Sequence, residues 1–148
     1  MLEKNMLLVT GNNTVRENIR RIMWGLGFSD VFIVENGKRA LDFIAKHNQS
    51  ESSLDLIITD QKMSPLSGIG LIGQLRQAGD GIPVILLYDD LGLIEQKELR
   101  AISKVCLLKK KKCEPFTTGD LREAIGTTIR PRKRAYVNCS FIPSLSAA

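Results

Sequence analysis

Four apolar segments of this 148-residue chain end at small, polar or charged residues that could take part in chemistry. These residues are Thr10, Gly11, Asp60, Tyr88, Asp89, Lys109 and Lys110. A lone carboxylate that ends an apolar run, as Asp60 does, could take part directly in chemistry. The other interpretation is that Asp60 only accepts hydrogen bonds from the loop that follows it. The residue pattern by itself leaves both open.

The elements that must position these residues alternate in hydrophobic period. Five short apolar runs are MLLVT (6–10), VFIV (31–34), LDLIIT (54–59), PVILLY (83–88) and VCLL (105–108). Unbroken apolar runs are typical of parallel strands that are buried on both faces, and helical patterns separate them. The chain is therefore predicted to be an α/β protein with a doubly wound, five-stranded parallel sheet. In such sheets the site lies beyond the carboxyl ends of the strands, where Asp60 is placed.

The helices between the strands have recognisable start and stop signals. A capping-box pattern at Thr14–Glu17 predicts the start of the first helix, and Gly27 its end. A weaker helix is predicted from Leu91 to Ser103, and Thr117 or Thr118 is expected to cap the last one.

Two single residues, Trp24 and His47, are candidates for contact or metal chemistry. Trp24 lies off the apolar stripe of the first helix and is expected to be partly buried. His47, the one histidine, is expected at a helix end, where its cation is favourable. A single histidine cannot build a multi-histidine metal site.

Composition and charge indicate one globular domain followed by a basic tail. The chain is 43% hydrophobic and 25% charged, which is ordinary for a folded domain. The formal charge is +5, of which residues 130–148 supply +4, leaving +1 for residues 1–129. We therefore predict a domain over 1–129 and a flexible tail over 130–148. The basic character reflects the tail and the run 109–112, so nucleic-acid binding is not expected.

The cysteines and the apolar segments indicate in which cellular compartment the protein is expected. Three cysteines with no C-x-x-C spacing argue against a disulfide framework or a zinc site and fit a reducing compartment. No segment is long enough for a signal peptide or a membrane span, so a cytoplasmic location is predicted. The tail can also be interpreted as a docking arm or as a linker to another domain.

Residues 5–129 resemble the receiver domain of two-component response regulators. In that family the third strand ends at a phosphoacceptor aspartate and a loop of the type D-x-x-M-P-x-x-x-G follows. Asp60, Met63 and Gly68 match this pattern, with Pro65 one residue late. Two further segments that are similar to the family are VENGKRALDFI (34–44) and GIPVILLY (81–88). The resemblance implies a flavodoxin-like (βα)5 fold with Asp60 as the candidate phosphoacceptor.

The residues that receivers use to hold Mg²⁺ differ in this chain. The resemblance places Thr10 and Gly11 where the family has an acidic pair. Mg²⁺ requires oxygen ligands, usually one or two carboxylates with water, so Asp60 alone is expected to bind it poorly. Asp89 and Asp90 follow the fourth strand, and one of them could supply a replacement carboxylate, although an exposed loop acid is usually just solvated.

The ends of the fourth and fifth strands also depart from the family. Tyr88 replaces a small hydroxyl residue, and its bulk is expected to lie over the site. Lys109 matches the family's lysine by strand position, whereas counting back from Pro115 puts Glu114 in its place. An ammonium of Lys109 or Lys110 near Asp60 would hold the carboxylate ionised without metal or phosphate.

These features predict a degenerate receiver, or pseudo-receiver, that acts by phosphorylation-independent protein–protein contact. We expect no enzymatic activity and no metal ligand set, with Mg²⁺ as a cofactor only if the atypical site still binds it. The expected partner is a histidine kinase or a downstream signalling protein. One alternative is a functional receiver that a histidine kinase phosphorylates on Asp60.

Another alternative is a small nucleotide-binding α/β domain. Gly68, Gly70 and Gly73 match G-x-G-x-x-G. Eight residues separate the end of the strand from Gly68, whereas a dinucleotide site needs the glycines directly after the strand, so close packing of a helix against the sheet is the favoured interpretation.

Overall fold

A computed structural model describes residues 4–47, 54–110 and 116–128. Strands and helices alternate along these ranges. The strands are β1 (Lys4–Val9), β2 (Phe28–Val34), β3 (Leu56–Asp60), β4 (Val84–Tyr88) and β5 (Val105–Lys109). The helices are α1 (Asn13–Gly25), α2 (Gly37–His47), α3 (Gly68–Gln77), α4 (Leu93–Arg100) and α5 (Thr118–Thr128). The prediction of five βα units is confirmed.

The strands form one parallel sheet in the order β2-β1-β3-β4-β5. The chain reverses its direction across the sheet between β1 and β3, which is where doubly wound folds place their sites. Because Val9 pairs with Thr59, the next residues, Thr10 and Asp60, come side by side at the carboxyl edge.

Side chains alternate between two cores, one on each face of the sheet. One core packs α1 and α5 against residues such as Leu8 and Ile58. The other packs α2, α3 and α4 against residues such as Leu7 and Ile57. Both faces of the central strands are thus buried, which explains their unbroken apolar sequences.

Two details of α1 differ from expectation. Asn12, not Thr14, caps the helix: its side chain accepts a hydrogen bond from the Val15 N–H at 3.1 Å. Trp24 is 74% exposed, so the prediction of partial burial was wrong. The reason is that Ile22 and Met23 already fill the inward positions of this turn, and the next residue points away from the sheet.

Arg76, in the last turn of α3, connects two turns at the amino edge of the sheet. Its guanidinium donates to the backbone oxygens of Asp80, Ile82 and Ser103 at 2.8–2.9 Å. Burial lowers the pKa of Arg76, and the charge of Asp80 acts in the opposite direction. The side chain therefore holds the α3–β4 turn against the α4–β5 turn.

The remaining predictions concern single residues and the tail. Thr117 and Asp120 exchange hydrogen bonds at the start of α5, so the cap there is confirmed. His47 is the last residue of α2 and stacks on Phe43. In the described ranges, no helix has the length and apolar character that a membrane crossing requires. The predicted tail, 130–148, lies outside the described residues.

Candidate functional site

Asp60 ends β3 as a buried carboxylate with a protein partner on each oxygen. Its Oδ2 accepts a hydrogen bond from Thr10 Oγ1 at 2.6 Å. Its Oδ1 lies 2.5 Å from the Nζ of Lys110. Within the described part of the chain this oxygen has no hydrogen bond of normal geometry, so the ion pair compensates its charge. A carboxylate that is only 4% exposed requires such compensation.

Thr10 is oriented toward Asp60 by backbone contacts. Its N–H donates to the Val34 oxygen at 3.0 Å, which continues the pairing of β1 with β2. The Asn12 N–H donates to Thr10 Oγ1 at 3.1 Å. The hydroxyl oxygen is thus an acceptor on one side, and its proton is directed to the Asp60 carboxylate.

Lys110, and not Lys109, is the lysine that reaches Asp60. Lys109 pairs with Tyr88 in the last register position of β5 and is exposed. The next residue, Lys110, lies beyond the strand, and its N–H donates to the Tyr88 oxygen at 2.8 Å. This bond fixes the backbone, while the Lys110 side chain, 17% exposed, turns inward to the carboxylate. Because β5 ends at Lys109, it is the next residue, Lys110, whose side chain turns toward Asp60.

The prediction that Tyr88 lies over the site was wrong. It is 9% exposed and belongs to the core on the α2–α3–α4 face, together with Leu91 and Leu99. The side chains of β4 alternate between the two cores, and Tyr88 follows Val84 and Leu86 on this face. Its ring adds to the hydrophobic core and does not line the cleft at the carboxyl edge of the sheet.

That cleft lies over the carboxyl edge of the sheet. The predicted residues Gly11, Asp60, Asp89 and Lys110 line it, together with Asn12, Glu35, Asn36, Lys62, Met63 and Ser64. Asp89 is exposed at its rim. Across the described ranges, no three His, Cys, Asp or Glu side chains are close enough together to hold a metal ion.

The β3–α3 loop is held by Gln61, which sequence reasoning missed. Its Oε1 accepts from the Ile69 N–H at 2.9 Å, and its backbone oxygen accepts from the Gly68 N–H at 3.0 Å. A Cβ on Gly68 would lie 2.4 Å from the backbone oxygen of Asp60, so only glycine permits this close approach. The first glycine of the G-x-G-x-x-G match thus serves packing, as the sequence favoured. The position of Gln61 directly after a strand is the signal that could have identified it, and for Asn12 the signal is its position directly before a helix.

The chain matches the family model of the response regulator receiver domain over residues 6–125. It belongs to the response regulator receiver domain family. Five parallel strands with helices on both faces, and an aspartate at the end of β3, agree with this assignment.

Curated relatives support the assignment. The chain is 34% identical over 82 residues to the response regulator MprA of Mycolicibacterium vanbaalenii, which covers 55% of the chain and 33% of that protein. It is 26% identical over 128 residues to sporulation initiation phosphotransferase F of Bacillus subtilis, covering 84% of the chain and 93% of that protein. The chain therefore matches about a third of the length of MprA and nearly all of the Bacillus protein.

Solved structures share the fold at low sequence identity. A two-component response regulator from Cytophaga hutchinsonii has a TM-score of 0.73 at 18% identity, covering 88% of this chain and all of that one (100%). The chemotaxis protein CheY4 of Vibrio cholerae has a TM-score of 0.69 at 19% identity, covering 86% and 99%. The flavodoxin-like receiver fold that the resemblance implied is confirmed.

Proposed function

We propose that this receiver domain signals by protein–protein contact that does not require phosphorylation of Asp60. The observation that carries the proposal is the double engagement of the carboxylate: Thr10 occupies Oδ2, and Lys110 occupies Oδ1. Acyl phosphate formation needs a free carboxylate oxygen and a cation that bridges it to the incoming phosphoryl group. Here neither oxygen is free, because Lys110 contacts Oδ1 and Thr10 donates to Oδ2.

The residues around Asp60 do not fit Mg²⁺. The ion prefers near-octahedral oxygen ligands with one or two carboxylates. After the carboxyl end of β1, the available side chains are the neutral hydroxyl of Thr10, which already donates to Asp60, and none at Gly11. The proposed function therefore requires no metal ion.

The ion pair gives the site a fixed electrostatic state in place of a switchable one. A receiver that gains Mg²⁺ and a phosphoryl group changes the charge at its third strand. In this chain the ammonium of Lys110 pairs with the Asp60 carboxylate, and the Lys110 backbone N–H donates to the Tyr88 oxygen at the same time. A partner, either a histidine kinase or a downstream signalling protein, would then recognise one constant surface.

Phosphotransfer from a small-molecule donor tests this proposal directly. The full chain is incubated with acetyl phosphate and Mg²⁺, and its intact mass is measured. We expect no phosphoryl mass gain. A stoichiometric gain that disappears in Asp60→Asn would refute the proposal and establish a working, atypical receiver.

A restoring variant, Thr10→Asp/Gly11→Asp, serves as the matched comparison. A Cβ at Gly11 would have the Glu35 oxygen as its nearest neighbour, at 3.5 Å, which is ordinary contact, so a side chain fits there. Isothermal titration calorimetry with Mg²⁺ should give no heat of binding for the natural chain. The double variant should bind Mg²⁺, because three carboxylates would then meet at the edge of the sheet.

A further inference from the structure

The edge strand β2 ends in an apolar segment that is open to another chain. β2 is the outer strand on one side of the sheet and, at 7 residues, the longest of the five. Its last four residues, Val31 to Val34, are all apolar, and each is only half-buried. A long, uncharged edge of this kind presents unpaired N–H and C=O groups to which a further strand can bind.

The hydrogen bonds with β1 show which backbone groups of β2 point outward. The Val34 oxygen accepts from the Thr10 N–H at 3.0 Å, so Val34 faces β1. In a parallel pair the N–H and C=O of one residue point to the same side, and successive residues alternate. Phe32 therefore also pairs with β1, whereas the N–H and C=O of Val31 and Ile33 point away from the sheet. Within the described ranges, no strand lies beyond β2 to bind them.

Phe32 adds an aromatic surface to this edge. The centroid of its ring lies 5.0 Å from that of Phe43 and 5.5 Å from that of His47, both on α2. Because α2 packs on β1, one strand further in, these three rings stay partly exposed beside the edge. Aromatic side chains that lie opposite each other on paired strands stabilise the pair.

We infer that β2 pairs antiparallel with β2 of a second copy of this chain. Phe32 then lies opposite its counterpart on the two-fold axis, and Val31 of each copy exchanges hydrogen bonds with Ile33 of the other, which gives about four bonds. A second copy fits because this register is its own complement and places only apolar residues opposite one another over 31–33. The product is one continuous sheet with five strands from each copy.

The charges on the α2 face of the edge are compatible with a second copy. Antiparallel pairing brings Asp30 of one copy to the end of β2 in the other, where α2 begins with Gly37, Lys38 and Arg39. Glu35 lies at the same end, and Arg39 pairs with it at 3.9 Å. Two acids thus meet two bases at each end of the interface.

On the other face, α1 carries three arginines and one glutamate, so its two copies repel each other at low ionic strength. The test is therefore made at physiological ionic strength, which screens exposed charges over about 8 Å. The inference concerns the outer edge of the sheet and does not rest on the proposed function at Asp60.

Amide hydrogen exchange, followed by NMR on the full chain at low micromolar and at millimolar concentration, tests the inference. We expect the amides of Val31 and Ile33 to exchange about tenfold more slowly at the higher concentration, because pairing gives them acceptors. The amides of Phe32 and Val34 should be protected at both concentrations, since they already pair with β1. Light scattering should show the mass doubling over the same range.

Val31→Pro provides the mutational test. Proline lacks the outward N–H, and because that N–H makes no bond to β1, an edge strand tolerates the change. We expect this variant to stay monomeric at both concentrations. Val31→Thr is the matched control: it keeps the N–H and the branched shape of valine, and it should dimerise as the natural chain does. Circular dichroism verifies that both variants fold.

Three results on the natural chain would overturn the inference. The first is a mass that does not double, with equally fast exchange of Val31 and Ile33 at both concentrations. The second is equally slow exchange of these amides at both concentrations, which would mean that a segment of the same chain covers the edge. The third is a dimer in which the two amides stay unprotected, because it must use another surface. A dimer that Val31→Pro leaves intact leads to the same conclusion as the third result.

Discussion

Replacing Lys110 with methionine removes the ammonium that lies 2.5 Å from Asp60 Oδ1 while keeping a side chain of similar length. The carboxylate keeps its hydrogen bond from Thr10 but loses its positively charged partner. Because Asp60 is only 4% exposed, water cannot readily replace the ammonium. We therefore expect Lys110→Met to destabilise the fold.

The magnitude follows from the geometry of the pair. Two unit charges at this separation attract by about 6–7 kcal/mol at an effective dielectric constant of 20, before the desolvation of both ions is subtracted. Removing one member of a buried pair typically costs 3–5 kcal/mol. The Lys110 side chain is 17% exposed, and Thr10 still satisfies one oxygen, so we expect about 2–3 kcal/mol.

Urea unfolding of a double-mutant cycle measures this cost. Asp60→Asn should cost less than Lys110→Met, because the released lysine can extend to solvent. The double variant should be more stable than Lys110→Met alone, since a neutral amide tolerates burial better than a lone carboxylate. Lys109→Met is the matched control; that lysine is exposed, so the change should stay within about 0.5 kcal/mol.

Two results would refute the reasoning. The first is a Lys110→Met variant that is no less stable than the Lys109→Met control. The second is a coupling energy near zero between the two partners in the cycle. Either would mean that the carboxylate is solvated in solution and that the ion pair contributes little.

Three further predictions use features outside the ion pair. Gly68→Ala should cost about 2 kcal/mol or more, because its Cβ would overlap the backbone oxygen of Asp60. Gly73→Ala, with nothing within 4 Å of its Cβ, should stabilise α3 by about 0.5–1 kcal/mol. Thermal unfolding compares the two variants, and equal effects would contradict the packing argument. Arg76→Met should cost about 1–3 kcal/mol in urea unfolding by releasing three backbone oxygens, and an unchanged midpoint would exclude that role. Burial raises the pKa of the Cys106 thiol, against the lowering effect of its hydrogen bond with Thr128. The neutral thiol therefore contributes its full stability to the fold below the ordinary thiol pKa of about 8.5, and this contribution is lost as the pH rises through the higher folded value. Relative to Cys106→Ala, the natural chain should lose stability at alkaline pH, and parallel pH profiles of the two proteins would argue against this.

The arrangement of elements could be predicted because hydrophobic period and strand burial are local properties of the sequence. Apolar runs such as LIIT in β3 are buried on both faces, as their composition indicated. The placement of Asp60 followed from the rule that sites in parallel sheets lie at the carboxyl ends of strands.

What could not be predicted depended on side-chain direction. Tyr88 and Lys109 share a register position, and a shift of one residue decides which lysine turns toward Asp60. The exposure of Trp24 depended on how the inward positions of α1 were filled. Sequence spacing identifies such candidates, but the choice between faces is made by packing.

The carboxylate of Asp60 joins three strands at once. It belongs to β3, it accepts from Thr10 at the end of β1, and it pairs with Lys110 just beyond β5. Thr10, Asp60 and Lys110, which end or follow these three strands, are therefore tied to one point. Amide hydrogen exchange after β1, β3 and β5 should then report a single cooperative opening, and in Asp60→Ala it should separate into independent local openings with faster exchange at each loop.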